Sequence, residues 1–212
     1  IGEKLFPEDP SLLAYVLGNL AQLNSATDRL KQAEEMQLRA LDYQRDVGSP
    51  ADLANSLGSL GVIYRKRSLW VKAEEIHKEG IKVAEAAGDE GLRPLAYNCG
   101  SLGLVLEHVG RIQEAINYHT RALEINTRLG SVEGQALNHS HLASAYVAAG
   151  NLEKALEHNQ LGRLVNAKRG NLEGIAYNSS ILGQALLQTK EYEQATDLFK
   201  DSIELYTKLE KT

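Results

Sequence analysis

Apolar residues recur three and four positions apart along most of the chain, a spacing that predicts amphipathic helices rather than strands. The segment GRIQEAINYHTRAL, Gly110 to Leu123, has this pattern, and GNLEKALEHNQLGR, Gly150 to Arg163, repeats it forty residues later. Each stripe covers only one side of its helix. A second helix must therefore bury it, and the pattern predicts paired helices.

A fixed interval connects equivalent positions throughout the chain. Two alanine columns are spaced by 40, 42, 40 and 40 residues, and a glycine column by 40, 42 and 40. The columns are Ala33, Ala73, Ala115, Ala155 and Ala195; Ala14, Ala54, Ala96, Ala136 and Ala176; and Gly48, Gly88, Gly130 and Gly170. Three independent columns that share one interval indicate a repeat architecture. The two additional residues of the second interval fall between Gly88 and Ala96.

Local chemistry marks the joints between the units. Each glycine of the third column suits the left-handed conformation that ends a helix. A small polar residue suited to an N-cap follows each one: Ser49, Asp89, Ser131 and Asn171. Pro50 stands at the first helical position, where a missing N–H costs nothing. The joints predict five helical hairpins, about ten helices in all.

Small residues at fixed points of paired helices, together with L-G-x-x-Y from Leu60 to Tyr64, resemble the tetratricopeptide repeat. The resemblance extends from about Ala14 to Leu209. The 40-residue unit and the G-[SDN]-x-E-G joint are similar to the subgroup in Pins-type polarity scaffolds, kinesin light chains and bacterial regulators. The bulky aromatic residue that this family carries early in its first helix is replaced here by Leu17, Leu57, Cys99, His139 and Ser179.

This resemblance implies an all-α fold, a right-handed α-solenoid of about five helical hairpins. It places an N-terminal lead-in at residues 1–13 and a repeat domain at residues 14–212. The expected repeats span about 14–48, 54–88, 96–130, 136–170 and 176–210.

In the family, the first helices of the hairpins line a concave groove that holds a peptide or a helix of a partner. Transferring the groove positions to this sequence predicts a partner-binding surface. Its residues are Tyr15, Asn19, Gln22, Asn55, Val62, Arg65, Lys66, Tyr97, Leu104, His108, His141, Ser144, Tyr177, Gln184 and Gln188.

The residue types at these positions narrow the expected ligand. Tyr15, Tyr97 and Tyr177 suit amphipathic anchors, although packing between helices explains such tyrosines more often. Arg65 and Lys66 belong to the only dense basic cluster, which either receives an acidic segment or is a solvated helix end. The family's carboxylate clamp is not assembled, because glycine or serine occupies the position of its first lysine.

Composition limits the class of partner. The formal net charge is −5, which argues against a general binder of nucleic acid or of anionic membranes. Cys99 is the only cysteine, so no intrachain disulfide can form, and a reducing, cytoplasmic setting is expected. The chain begins with Ile1, and we expect it to be a piece of a longer protein.

No catalytic chemistry, cofactor or metal site is predicted, so an enzyme is not expected. Among the six histidines, His139 and His141 are two positions apart and point about 200° apart around a helix, so they cannot share a metal ion without distortion. His77 and His119 occupy equivalent positions in successive units. The sequence favours structural or surface roles for all six.

Two functions fit this sequence. The first is a protein-interaction module that binds a partner peptide or helix as a scaffold or adaptor, with no nucleic acid or membrane involved. The alternative is a ligand- or peptide-sensing segment of a larger signalling or transcription regulator. Phe199, Ile203 and Tyr206 also give the last helix a second apolar stripe, which predicts a further covering helix or association through this end.

Overall fold

The structure is a computed structural model that describes residues 9–209, the side chain of Val47 excepted. Residues 1–8 of the expected lead-in and residue 210 of the fifth repeat lie outside the described residues. Residues 10–13 form the first turn of a helix. The rest of the described chain consists of helices and short connections.

Ten α-helices follow one another between residues 9 and 209, and no β-strand occurs in that range, as the sequence predicts. They are α1 (Pro10–Ala26), α2 (Leu30–Val47), α3 (Pro50–Lys66), α4 (Trp70–Ala86), α5 (Leu92–His108), α6 (Ile112–Arg128), α7 (Val132–Ala148), α8 (Leu152–Lys168), α9 (Leu172–Gln188) and α10 (Tyr192–Leu209). The odd-numbered helices begin at 10, 50, 92, 132 and 172, and the even-numbered ones at 30, 70, 112, 152 and 192. Both series therefore keep the predicted intervals of 40, 42, 40 and 40.

The chain forms two compact units, one up to Val109 and one from Gly110 onward. In unit 1, α1 pairs with α2 and α3 with α4, and α5 packs on both α3 and α4. In unit 2, α7 pairs with α8 and α9 with α10, and α6 packs on α7. Each complete pair is a hairpin with a short turn, which is the predicted building block.

Three of the four predicted N-caps are confirmed. The side chains of Ser49, Ser131 and Asn171 accept hydrogen bonds from backbone N–H groups in the first turns of α3, α7 and α9. The prediction for Asp89 is wrong. Asp89 lies inside a short 3-10 helix, Gly88–Gly91, and α5 begins only at Leu92. This single turn lies in the one interval of each helix series that measures 42 instead of 40 residues.

The predicted left-handed glycine is found at three joints and not at the first. Gly88, Gly130 and Gly170 have φ values of 61°, 63° and 67°. Gly48 has φ −79° and ψ 155° and is extended. Ser49, which precedes Pro50, is also extended, as sterics require before proline. The chain therefore enters α3 through an extended dipeptide instead of a left-handed turn.

Each unit has an apolar core between its helices. In unit 1, Leu41, Leu57, Leu60, Tyr64 and Val105 form a buried cluster with Ala73. In unit 2, Ala143, Val147, Ala155, Ile181 and Ala185 form another cluster. Both cores contain many small residues, which bring the helix backbones close together.

A column of buried polar side chains, spaced at the repeat interval, also joins successive hairpins. It contains Gln37, His77, His119 and Asn159, and Phe199 stands at the fifth position. Three members bond to the next odd-numbered helix: Gln37 Nε2 donates to the Ser56 carbonyl (3.1 Å), His77 Nδ1 meets Asn98 Oδ1 (3.0 Å), and Asn159 Nδ2 donates to the Asn178 carbonyl (2.7 Å). The Phe199 ring lies instead beside Gly183, where an added Cβ would come within 2.8 Å of it.

Candidate functional site

The predicted groove residues of unit 1 lie on α1, α3 and α5. Four of them, Gln22, Val62, Lys66 and Tyr97, line one cleft of about 190 Å³. The remaining lining residues are Ser25, Ala26, Gln37, Ser59 and Ile63. The structure thus brings residues from three predicted repeats to one cleft within unit 1.

Tyr97 forms one wall of this cleft and packs against α3 at Gly58. Its ring covers Gly58 so closely that an added Cβ there would lie 2.7 Å from two ring carbons. The side chain nevertheless remains 42% exposed. Burial raises the pKa of the Tyr97 hydroxyl, and the Arg65 guanidinium partly opposes that rise. Tyr97 therefore offers a neutral phenol and a ring edge, held in place by α3.

Gln37 supplies the cleft with an unsatisfied polar group. Its side chain is 1% exposed, and its Nε2 is occupied by the Ser56 carbonyl. Its Oε1 has no hydrogen-bond partner in the part of the chain that the structure describes. A buried acceptor without a donor costs about 1–3 kcal/mol, so a ligand N–H that reaches Oε1 would be favoured.

The three residues of the predicted basic cluster, Arg65, Lys66 and Arg67, lie in three different environments. Arg67 forms an ion pair with Glu34. Lys66 Nζ donates to the Ser25 carbonyl at 3.0 Å, which bridges α3 to the end of α1 beside the cleft. Between residues 9 and 209, Arg65 has no carboxylate partner and its Nε is buried without an acceptor. Only Arg65 and Lys66 are thus available to a ligand, which is the pair that the groove mapping selected.

The other predicted residues of unit 1 lie outside this cleft. Tyr15 is 67% exposed and lines a separate cleft of about 230 Å³ together with Gln44 and Asp52. Asn19 and Asn55 are exposed on α1 and α3. Leu104 is half-buried, and the His108 ring stacks on Trp70 with centroids 3.6 Å apart.

In unit 2 the predicted residues lie on α7 and α9. His141 is largely buried, with its ring 5.1 Å from that of His119 and edge-on to Tyr177 at 6.4 Å. Tyr177 also lines a notch of about 100 Å³ with Leu137 and Ser140. Ser144 is half-buried and Gln184 is exposed. Gln188 donates from Nε2 to the Val147 carbonyl at 3.0 Å, so it ties α9 to α7.

Sequence reasoning missed several lining residues of the cleft in unit 1. Ile63 is next to the predicted Val62, and Ser25 and Ala26 lie three and four residues beyond the predicted Gln22. Gln37 lies on an even-numbered helix that the groove mapping excludes. One signal was available for Gln37. A polar residue recurs at its position in four of five units, inside a stripe that is otherwise apolar.

Neither a metal cluster nor a membrane span is found in the described range. Between residues 9 and 209, no group of three or more His, Cys, Asp or Glu side chains is arranged to hold a metal ion. No helix in the same range combines the length and apolar character that crossing a membrane requires.

Comparison with known proteins agrees with this architecture. The family model described as tetratricopeptide repeat matches residues 12–86 and 93–163, more than half of the chain. Tetratricopeptide repeat protein 29 of Trypanosoma brucei brucei (strain 927/4 GUTat10.1) is 32% identical over 116 residues, which are 55% of this chain and 24% of that protein. The chain therefore spans about a quarter of the length of this relative.

Two solved structures are similar over nearly the whole chain. BtubC (BKLC) from P. vanneervenii has a TM-score of 0.80 at 16% identity and covers 99% of this chain and 87% of its own. The kinesin light chain-like repeats of Podosopora anserina have a TM-score of 0.73 at 18% identity and cover 97% of this chain and 100% of their own. At such identities the likeness concerns the fold alone. Repeat interval, hairpin architecture and family match agree, and the chain belongs to the tetratricopeptide repeat family.

Proposed function

We propose that this chain is a protein-interaction module that binds an extended or helical segment of a partner, with the cleft beside Tyr97 as its main site. The family fold is that of protein-interaction scaffolds, and it supports this class of function. The choice of cleft rests on the side chains that line it.

The buried Oε1 of Gln37 is the observation that carries the proposal. It is an acceptor without a donor, on the wall of a cleft whose other walls include Val62, Ile63 and Tyr97. A peptide that inserts an apolar side chain can bury carbon on these walls. Its N–H can bond to Gln37 once the Gln37 side chain turns toward the cleft, because Oε1 is buried in the structure. Arg65 and Lys66 lie on the same helix, where they can meet polar or acidic groups that flank the inserted side chain.

The size of the cleft favours a side chain over a free small molecule. Its volume is about 190 Å³, whereas small-molecule sites usually measure about 300–1,000 Å³. Tyrosine and arginine are also enriched among the residues that dominate the binding energy of protein interfaces. A shallow cleft with Tyr97 at its wall therefore suits one anchor residue of a longer segment.

A peptide selection tests this proposal. Linear peptides selected from a random displayed library on the wild-type chain are labelled, and their affinities are measured by fluorescence polarisation. We expect Tyr97→Ala and Val62→Asp each to weaken the selected peptides by roughly tenfold or more, because each removes a wall of the cleft.

Tyr192→Ala is the matched control, because Tyr192 is an exposed tyrosine on α10, outside the predicted groove. This variant should bind the selected peptides with wild-type affinity. Selected peptides that bind the Tyr97 and Val62 variants as tightly as the wild type would contradict the proposed site.

The alternative function, a sensing segment of a larger regulator, uses the same site and differs in its output. It requires that an occupied cleft changes the shape of the chain, whereas a scaffold needs only to hold its partner. Spin labels at one exposed position in each unit, with and without a selected peptide, distinguish the two. A distance distribution that shifts on binding favours the sensor, and an unchanged one favours the scaffold.

A further inference from the structure

The fourth hairpin, α7 with α8, carries two histidines at positions where the other repeats carry mostly apolar residues. His139 and His158 occupy the positions of Leu57 and Ile76 of the second repeat, and those two belong to one apolar cluster between α3 and α4. The corresponding residues elsewhere are Leu17 and Met36, Cys99 and Tyr118, and Ser179 and Leu198. No other repeat has an imidazole at either position.

The two imidazoles approach each other through their Nδ1 atoms. His139 Nδ1 and His158 Nδ1 are 2.9 Å apart, and the ring centroids are 5.2 Å apart with an interplanar angle of 36°. Tyr146 also stacks on His158, with centroids 5.5 Å apart and planes 12° apart. Both histidines are half-buried, so solvent still reaches the pair. The hairpin thus holds two nitrogen ligands side by side at an accessible point.

The distance between the two Nδ1 atoms suits two neighbouring ligands of one transition-metal ion. With metal–nitrogen bonds of about 2.0–2.1 Å, two nitrogens at this separation subtend about 90° at the metal. That is the angle between neighbouring ligands in the tetragonal geometry that Cu²⁺ and Ni²⁺ prefer, and imidazole suits both ions. Binding Cu²⁺ or Ni²⁺ requires the two rings to turn until both Nδ1 lone pairs converge on the ion. A tetrahedral Zn²⁺ also needs the nitrogens about 3.3 Å apart, so they would have to separate as well.

The surroundings of both imidazoles disfavour their charged form. Burial lowers the pKa of both His139 and His158, and the neighbouring Glu157 carboxylate partly opposes the shift in each case. His158 lowers the pKa of His139, and Lys154 lowers that of His158. In the present hydrogen bond one Nδ1 carries a proton. Metal binding moves that proton to Nε2 of the same ring, with no net change in charge.

We propose that His139 and His158 form a two-imidazole site for a divalent first-row transition cation of tetragonal preference, with water completing the coordination. The site lies within the α7–α8 hairpin and does not depend on the peptide cleft of unit 1. It is compatible with the sequence-based exclusion of His139 and His141 as a metal pair, because His139 faces α8 while His141 contacts the rings of His119 and Tyr177.

Titration of the tag-free full chain with CuCl₂ and, separately, NiCl₂ in a non-coordinating buffer at neutral pH tests the site. We expect one ion per chain at the site, with a Cu²⁺ EPR spectrum that shows nitrogen coupling. The double variant His139→Leu/His158→Ile recreates the apolar pair of the second repeat. It should lose about tenfold or more in affinity, together with the nitrogen coupling.

Two further variants keep the test decisive. His108→Gln removes a histidine from unit 1 and should bind Cu²⁺ as the wild type does. His139→Leu alone should lose affinity as the double variant does, and circular dichroism verifies that each variant remains helical. The proposal is overturned if the double variant binds Cu²⁺ with wild-type affinity, or if the wild type binds no ion at the concentrations where simple imidazole ligands bind.

Discussion

At the scale of single residues, His77 shows what burial in the polar column costs. Asn98 donates from Nδ2 to the carbonyls of Ala54 and Pro94, so its Oδ1 faces His77 and accepts from Nδ1–H. The opposite ring nitrogen, Nε2, is buried and has no hydrogen-bond partner among the described residues. It points at Gly61, where an added Cβ would lie 2.4 Å from it. Protonation would therefore bury an unpaired N–H and a charge.

This environment predicts a pH dependence of stability. Burial lowers the pKa of His77 to about 4, with Asn98 opposing the shift and Arg65 adding to it. The unfolded chain binds a proton near pH 6.5 and the folded chain does not, so the free energy of unfolding should fall as the pH drops from about 6.5 to about 4. The full effect is roughly 3 kcal/mol, at about 1.4 kcal/mol per pH unit.

His77→Gln is the matched variant, because Gln37 occupies the same position in the first repeat and donates to the next hairpin. Urea denaturation at a series of pH values should give the variant a shallower loss of stability than the wild type over this interval. Parallel curves for the two proteins would refute the assignment to His77.

Lys190 adopts a backbone conformation that suits glycine. Its φ is 64°, and it stands at the turn position held by Gly110 and Gly150, whose φ values are 79° and 72°. A side chain in the left-handed region costs roughly 1–2 kcal/mol, so Lys190→Gly should raise the free energy of unfolding by up to about 1 kcal/mol once the added freedom of the unfolded chain is subtracted.

The reverse change, Gly150→Lys, should lower stability by a similar amount. Chemical denaturation of the two variants beside the wild type measures both effects. Destabilisation by Lys190→Gly would show that the lysine side chain makes contacts that outweigh its strain.

The sequence predicted the local details that depend on neighbouring residues and missed those that depend on residues farther away. The caps at Ser49, Ser131 and Asn171 were predictable, because a cap depends on its own first turn. The extended Gly48 and the inserted turn around Asp89 were not, because they arise from Pro50 and from two additional residues that change the local path. The contact of His139 with His158 was also invisible, since it joins residues on two different helices.

At the scale of helices, α10 differs from the other even-numbered helices on the face that would meet a following hairpin. Ile203 is 65% exposed and Tyr206 is 39% exposed. Leu41 and Ile81, the equivalents of Ile203 in the first two repeats, are 2% and 7% exposed, because α3 and α5 pack on α2 and α4. Ile203 and Tyr206 of the predicted second apolar stripe are therefore open in the structure, whereas Phe199 packs beside Gly183 within its own hairpin.

We expect this open face to drive self-association of the chain. Burying one such side chain contributes roughly 1.5–3 kcal/mol, so Ile203→Glu should shift the chain toward monomer in sedimentation-velocity experiments over a concentration series. Val71→Glu changes an equally exposed residue on α4 and should leave the equilibrium unchanged. A wild-type chain that stays monomeric at every concentration would refute this prediction.

The arrangement of helices was the part most accessible from sequence. Helix starts follow the predicted interval because each unit repeats one set of apolar and small positions. The binding surface was less accessible, because the groove mapping considered only odd-numbered helices. Gln37 lines the cleft from α2. Identifying it from the sequence would require knowing which side chains of an even-numbered helix extend past the odd-numbered helix paired with it.

At the scale of the whole molecule, a repeat protein must keep similar hairpins in the correct order. Stability in such chains is a sum of units and of the interfaces between neighbours. Apolar stripes of similar residues could pair in several ways, and mispairing of like segments is a common failure of repeat proteins. The tetratricopeptide repeat pattern alone does not say which hairpin follows which.

One member of the polar column supplies part of that information. Gln37 meets a backbone carbonyl of α3, His77 meets the amide of Asn98, and Asn159 meets a carbonyl of α9. Every repeat offers a backbone carbonyl at the position that Gln37 and Asn159 use, so only the bond of His77 depends on the identity of the next hairpin. A neighbour with Val16 or Ser56 in place of Asn98 would lack the amide and leave the buried His77 Nδ1 unpaired, at about 1–3 kcal/mol. The His77–Asn98 pair thus favours the third hairpin as the neighbour of the second, and it selects against the first two hairpins at that place.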